Sequence, residues 1–456
     1  MYFLYSAFTA LAAILLLPYW VVQGLRHGKY FSNLGQRLGL AYPTLEKLPR
    51  QRPGAIWVHA VSVGEALAGL GLARRLKEQN PGRPLIVSTT TLTGQTLARE
   101  RMPFADAVVY FPLDWGFAVR RAFRAVQPEI VVILETELWP NFLREAARRS
   151  VPVVVVSGRL SPRSFARYQR WLGALGLFLR PFLARMLALP AAFLMQTADD
   201  AARIRALGAP PGRVFVSGNL KYDQELPADS ALCAWLEKEV NARSRRPLVV
   251  AGSVVANEEP LTLIAFGTAR GEHPRALLVL APRKPERFEA AAEFIREAHW
   301  KFLRRSQLAI PGPFGQGLPA SGVSPVIPDD VTVLLLDSIG ELASLYRAAD
   351  VVFVGGSLVP SGGHNILEPA AFGKIPVFGP HTENFAEMTA RFVEAGAAIR
   401  VESPEDVGVA WIDLLKNPAR MQEMGAKAKR LVEESRGATA RALAEITRVL
   451  GGGKGR

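Results

Sequence analysis

Carboxylates at the ends of apolar runs are the first residues in this chain that could do chemistry. Glu65 closes the segment HAVSVGE, residues 59–65, where a β-rich run gives way to the helical pattern ALAGLGLARRL. It falls in the first helical turn, at the C-terminal strand edge where doubly wound folds bind ligands. A carboxylate there can act as a general base, and the helix dipole is expected to lower its pKa. The plainer alternative is that Glu65 only favours the helix start and that His59 is a satisfied strand-end histidine. Glu135 and Glu137 in LETELWPN, residues 134–141, follow another apolar run. A buried strand end charges carboxylates a desolvation cost, so the pair marks either a site or a structural salt bridge. STTTLTG, residues 88–94, ends a strand on the same edge, and such hydroxyl-rich turns often cap helices.

The second half carries cations and glycines instead. APRKPERF puts Arg283, Lys284 and Arg287 just past a strand, and DSIGEL has Gly340 and Glu341 opening a helix. GGSLVPSGGHNILEPAAFG, from Gly355, is the most informative segment. Gly355-Gly356 and Gly362-Gly363 allow close backbone approach, and a helix starting near Asn365 would aim its N–H groups at an anion. Glu368 then sits one turn inside, placed to accept hydrogen bonds from ribose hydroxyls. Neither GxxxxGK[ST] nor an early GxGxxG occurs, which weakens ATPase and dehydrogenase readings.

These residues need a scaffold, and the apolar runs supply one. AIWVHAVSV, PLIVSTT, ADAVVYF, EIVVILET, VPVVVVSG and AFLMQT form a first series; PLVVAGS, ALLVLAPR, VTVLLLDS, ADVVFVGGS, KIPVFGP and AAIRV form a second. The runs are continuous rather than alternating, as expected for parallel strands covered on both faces. Two consecutive α/β sets imply two doubly wound, Rossmann-like domains facing across a cleft. The stretch from Leu220 to Pro247 breaks the pattern and reads as an interdomain connection, and the Pro/Gly-rich residues 310–328 as a surface loop.

Composition narrows the partners. The chain has 456 residues, a length that suits about three domains or two large ones. With 49% hydrophobic and 21% charged residues, long disorder is excluded as the main character. Cys233 is the only cysteine, which excludes an internal disulfide and any cysteine-cluster metal site. A formal charge of +14 points to nucleic acid, an anionic membrane or an anionic substrate. Between Glu145 and Asp199 no acidic residue occurs, while Arg163, Arg167, Arg170, Arg180 and Arg185 interleave with Phe165, Tyr168, Trp171 and Phe182. That mixture suits a membrane surface or anionic lipid, with nucleic acid as runner-up. Residues 1–25 carry no charge and are followed by Arg26, His27, Lys29 and Arg37. The run has about the 20 residues a membrane helix needs, and its flanking charge puts the remainder on the cytoplasmic side.

HAVSVGE, TTTLTG, ETELWPN, GNLKYD, PRKPERF, DSIGEL and GGSLVPSGGHNILEPAA, in that order, resemble the 3-deoxy-D-manno-octulosonic acid (Kdo) transferases of lipopolysaccharide synthesis. The resemblance implies a GT-B glycosyltransferase of the bacterial inner membrane. It would move Kdo from CMP-Kdo to the 6'-hydroxyl of a tetraacyl lipid A precursor, lipid IVA, with inversion and without metal or cofactor. CMP-Kdo, the lipid A precursor and the cytoplasmic membrane surface are the implied partners, and nucleic acid is not among them. The family's proton acceptor falls on Glu65, and its transition-state-stabilising pair on Glu135 and Lys221. CMP contacts fall on Pro282 and Arg283, on Ile339, Gly340 and Glu341, and on Asn365, Ile366, Leu367 and Glu368. The implied domains are an anchor at 1–25, an acceptor domain at 26–220, a linker at 221–246 and a CMP-Kdo domain at 247–415. C-terminal helices at 416–450 can return to the first domain. Three motifs depart from the family pattern: Val254-Val255 replaces Thr-His, Lys284 replaces a histidine, and SGRLS, residues 157–161, replaces NARLS. The rival readings are a UDP-sugar-dependent lipid A disaccharide synthase and a non-catalytic lipid- or nucleotide-binding module.

Overall fold

The computed structural model describes residues 1–2, 5–7, 9–11, 15, 33–49, 54–174, 176–224, 230–312 and 325–452. Most of the expected anchor, with Arg26, His27 and Lys29, lies outside the described residues, as do most of the Pro/Gly-rich stretch and the last four residues. Among the described residues no helix is long and apolar enough to cross a membrane. The chain forms two compact units, Met1–Gln224 with Ser435–Arg456, and Glu225–Glu434.

The first unit holds β1 (Ala55–His59), β2 (Leu85–Thr89), β3 (Ala107–Tyr110), β4 (Pro128–Leu134), β5 (Val153–Gly158), β6 (Ala192–Met195) and β7 (Val214–Val216). They form one sheet in the order β3-β2-β1-β4-β5-β6-β7, and every pairing is parallel. Alternate residues of β1 serve opposite cores: Trp57 packs in one cluster, Ile56 and Val58 in the other. Both faces are covered, which is why the strands read as unbroken apolar runs. The strand order reverses between β1 and β4, so the loops leaving these two neighbours splay apart and open a crevice at their C-terminal ends.

The second unit repeats the plan. It holds β8 (Leu248–Val254), β9 (Leu277–Pro282), β10 (Phe302–Arg304), β11 (Val333–Leu335), β12 (Val351–Val354), β13 (Pro376–Phe378) and β14 (Ile399–Arg400). The order is β10-β11-β9-β8-β12-β13-β14, again all parallel, with the reversal between β8 and β12. The two Rossmann-like sheets expected from the apolar runs are therefore present. Two edge strands, β7 and β10, were not legible: each is only three residues long, too short to stand out as an apolar run.

Two boundaries differ from those expected. Only Glu225 onward belongs to the second unit, and Ala231–Ala242 is not a linker but a helix burying Leu232, Cys233, Leu236 and Val240 in that unit's core. At the other end, helix Pro418–Glu434 stays with the second unit while Ala438–Gly452 packs in the first, through Ala442, Leu443, Ile446 and Leu450. Each such Leu or Ile contributes about 1.5–3 kcal/mol on burial, enough to hold the returning helix in place.

Candidate active site

The crevice of the first unit collects three carboxylates and a lysine. Helix Val63–Gln79 begins immediately after β1, with Ser62 as its N-cap. The Glu65 carboxylate accepts the Val61 N–H at 2.7 Å and the Ser62 hydroxyl at 3.0 Å, while the Ser62 oxygen receives the Glu65 N–H at 3.4 Å. This reciprocal cap fixes the side chain over the end of β1. Glu65 is only 8% exposed, and burial pushes its carboxyl from 4.5 up to about 7. The Val61 N–H opposes that rise, and the charges of Glu135 and Glu137 reinforce it. The lowering expected from the helix N-terminus is thus overturned by desolvation and like charge.

Glu135 stands directly after β4, across the strand reversal, with φ 58°. Its carboxylate lies 3.6 Å from the Lys221 ammonium. Lys221 comes from the 3₁₀ turn Leu220–Asp223, whose start is capped by Asn219 accepting the Lys221 N–H at 2.9 Å. Asp223 closes the same turn by accepting the N–H groups of Gly437, at 2.6 Å, and Thr439, so the returning C-terminal helix staples the lysine's turn to the sheet. Burial, with the Glu135 charge, also pushes the Glu137 carboxyl up. The structure therefore brings Glu65, Glu135, Glu137 and Lys221 into one electrostatically coupled cluster.

His59 is not part of it. Its ring is fully buried, stacks on Phe111 at 3.8 Å between centroids, and is pushed down to about 3 by burial, which keeps it neutral. The hydroxyl-rich turn after β2 is likewise a cap: Thr91 accepts the Gly94 N–H at 3.1 Å. Ser157, in the departing SGRLS segment, accepts the Leu220 N–H at 3.4 Å and so supports the lysine's turn.

In the second unit Arg283 follows β9, and its N–H bonds Val254 at the end of β8 at 2.8 Å. Burial pushes His364 down to about 4, and the exposed Arg283 guanidinium adds to that fall. The helix expected near Asn365 spans only Leu367–Ala371, with Asn365 accepting the Leu367 N–H at 3.1 Å. Ile366 and Leu367 are buried, so their side chains belong to the core and only their main chain can meet a ligand. Glu368 is half-buried, and burial raises its carboxyl against the opposing Arg283 charge. Pro282 is buried at the end of β9, and Val254, one of the departures, is core. Ile339 is 42% exposed beside Gly340.

Two of the groups expected near the ligand are engaged within the fold. The Glu341 carboxylate is committed inside the fold: it is 1% exposed, holds the buried Arg305 guanidinium at 2.8 and 2.9 Å, and accepts the Ser338 hydroxyl. The close approach permitted by Gly355 and Gly356 is also taken up by the protein. A Cβ on Gly355 would lie 2.6 Å from the Ser253 carbonyl and 2.8 Å from Glu258, and one on Gly356 would lie 2.8 Å from the His364 ring. Sequence reasoning passed over Glu258 entirely. Its signal was the Glu258-Glu259 pair set between an apolar strand and an apolar helix, a costly place for charge. Among the described residues no three His, Cys, Asp or Glu side chains converge as metal ligands do.

Two parallel Rossmann-like sheets, each with polar loops at its strand reversal, define the GT-B class of fold. A solved structure from Listeria monocytogenes, described as a UDP-N-acetylglucosamine 2-epimerase, shares that fold at 14% identity and TM-score 0.54, covering 86% of this chain and 95% of its own. The family described as 3-deoxy-D-manno-octulosonic-acid transferase (kdotransferase) matches residues 32–224. The 3-deoxy-D-manno-octulosonic acid transferase of Haemophilus influenzae is 32% identical over 97% of both chains. That of Bordetella pertussis is 34% identical over 89% of this chain and 90% of its own. The chain belongs to the Kdo transferase family, and it is a glycosyltransferase rather than a non-catalytic module.

Proposed function

We propose that the chain transfers Kdo from CMP-Kdo to the 6'-hydroxyl of a tetraacyl lipid A precursor, lipid IVA, in lipopolysaccharide synthesis, with inversion and without a metal. The observation that carries this reading is Glu65: a carboxylate poised at about 7, at the strand reversal, beside Glu135 and Lys221. A base is most effective when its pKa lies near the working pH. Glu65 takes the proton of the acceptor hydroxyl as that oxygen bonds to the Kdo anomeric carbon. The bond from that carbon to the CMP phosphate oxygen breaks, and CMP leaves as a phosphate monoester dianion. Arg283 offsets the leaving charge, and the Glu135–Lys221 pair stabilises the oxocarbenium-like transition state.

The membrane placement is part of the same proposal. The uncharged run 1–25 would anchor the chain in the inner membrane, its catalytic units on the cytoplasmic side. Of its described residues, Tyr2 packs on Phe182 at 5.2 Å, lies 4.8 Å under the Arg144 guanidinium, and Ser6 accepts from Asn141 at 3.0 Å. Helices Pro162–Ala174 and Gly176–Leu187 expose Arg163, Arg167, Arg170, Arg180 and Arg185, with Trp171 50% exposed among them. Such a surface suits phosphorylated lipid in an anionic leaflet.

The test is Glu65→Gln and Glu65→Ala, assayed for Kdo transfer to lipid IVA and for CMP-Kdo binding. Transfer is expected to fall below detection while binding persists. Turnover near wild type in either variant would end the general-base assignment. Product inhibition by CMP and not UDP is the expected donor signature.

A further inference from the structure

We infer that Glu258 is a positioning residue for donor binding: it fills a main-chain N–H nest at the second strand reversal and so sets the shape of the glycine-rich segment. This rests on the reading that the second unit binds the cytidine nucleotide. Glu258 is completely buried in the loop that leaves β8. Its carboxylate accepts N–H groups from Gly356 at 2.6 Å, Ser357 at 2.9 Å and Leu358 at 2.9 Å, all in the loop leaving β12, and from Val255 at 3.2 Å. Successive N–H groups converging this way make an anion site, commonly used for a ligand phosphate. Here the protein supplies the anion itself, and Gly355 is required because a Cβ there would strike Glu258.

The consequence reaches the residues expected to touch the nucleotide. The Gly356 carbonyl accepts the Gly363 N–H at 2.7 Å, and the Ser357 carbonyl accepts the His381 N–H at 2.9 Å. The Ser357 hydroxyl receives the Gly379 N–H at 2.9 Å. The turn pinned by Glu258 therefore sets where Gly363, and with it Asn365 and Glu368, can lie. With the nest occupied, the donor phosphate depends on side-chain cations such as Arg283 rather than on these amides.

Glu258→Gln keeps the size but turns an amide NH₂ toward N–H donors. Its CMP dissociation constant by calorimetry, its KM for CMP-Kdo and for the lipid acceptor, and its melting temperature are compared with wild type. The expected result is a rise of about tenfold or more in the CMP dissociation constant and donor KM, with acceptor KM within about twofold. Should Glu258→Gln not fold, Glu258→Asp carries the test, since it keeps the charge but cannot reach both loops, and the same donor-selective rise is expected. Unchanged donor constants, or donor and acceptor constants rising in parallel, overturn the inference. Absence of CMP binding by active wild-type enzyme would instead refute the donor reading on which it rests.

Discussion

Glu65 should make transfer fall steeply just below neutral pH. With its carboxyl at about 7, about nine-tenths is ionised at pH 8 and about one-tenth at pH 6, so acceptor kcat/KM should drop nearly tenfold between them. An unshifted glutamate, at 4.5, would give a flat profile over that range. The lipid acceptor's own phosphates titrate near pH 6, so the inflection needs an assignment. Glu137→Gln provides it, because removing that charge lowers the Glu65 pKa and moves the inflection to lower pH, whereas an acceptor titration would stay put. The same shift has a stability signature. The folded-state pKa exceeds the unfolded one, so the wild type loses stability as pH rises from about 4.5 to 7 and no more above it. A rise of that size corresponds to roughly 3 kcal/mol. Glu65→Gln, which escapes it, should match the wild type near pH 4.5 and exceed it by an amount approaching that at pH 8, by denaturant titration in detergent. A flat rate profile from pH 6 to 8, or equal stability of the two proteins at pH 8, would refute the reasoning.

Two further outcomes follow from other parts of the fold. Arg305→Met leaves the Glu341 carboxylate buried without its partner and should cost about 3–5 kcal/mol by chemical denaturation, much of it recovered by adding Glu341→Leu; an effect under about 1 kcal/mol would show the pair to be dispensable. Arg167→Glu with Arg170→Glu should weaken sedimentation with anionic vesicles by at least about 2 kcal/mol at low salt, since each basic residue near such a surface contributes about 1 kcal/mol. Vesicle binding indifferent to both changes and to salt would remove that surface from the membrane proposal.

The sheets were legible because parallel strands buried on both faces leave continuous apolar runs, as β4 and β5 do. Short edge strands such as β7 escape that signal, and so did the true unit boundary. Helix Ala231–Ala242 follows a charged, proline-containing stretch, yet its Leu232, Leu236 and Val240 are spaced at helical intervals that mark a core face. In the first unit Glu65 and Glu135 were legible as carboxylates at strand ends, whereas Lys221 was pointed to only by the family resemblance; the structure brings the three together. The glycines of the second were read for the freedom they have, but not for what fills it. Which atom occupies the space beside Gly355 is decided by Glu258, about a hundred residues earlier, and no local spacing reveals such a partner.

Glu65 and Glu258 hold equivalent stations, each just beyond the first strand of its sheet and beside a strand reversal, yet the fold equips them oppositely. Glu258 is met by four main-chain N–H groups, which saturate its oxygens and leave it nothing to do but hold two loops together. Glu65 is met by one main-chain N–H and one hydroxyl, and Glu135 and Glu137 act on it with their negative charge. A carboxylate with that few donors retains the basicity that desolvation gives it. Burial raises both carboxyls, so the difference between a fastener and a base lies in how many donors meet the carboxylate and in whether a substrate hydroxyl can reach it. Adding a donor beside Glu65 should therefore lower its pKa and its usefulness as a base together, while removing one from Glu258 should loosen the glycine-rich turn without creating a base, because burial bars a substrate hydroxyl from reaching it.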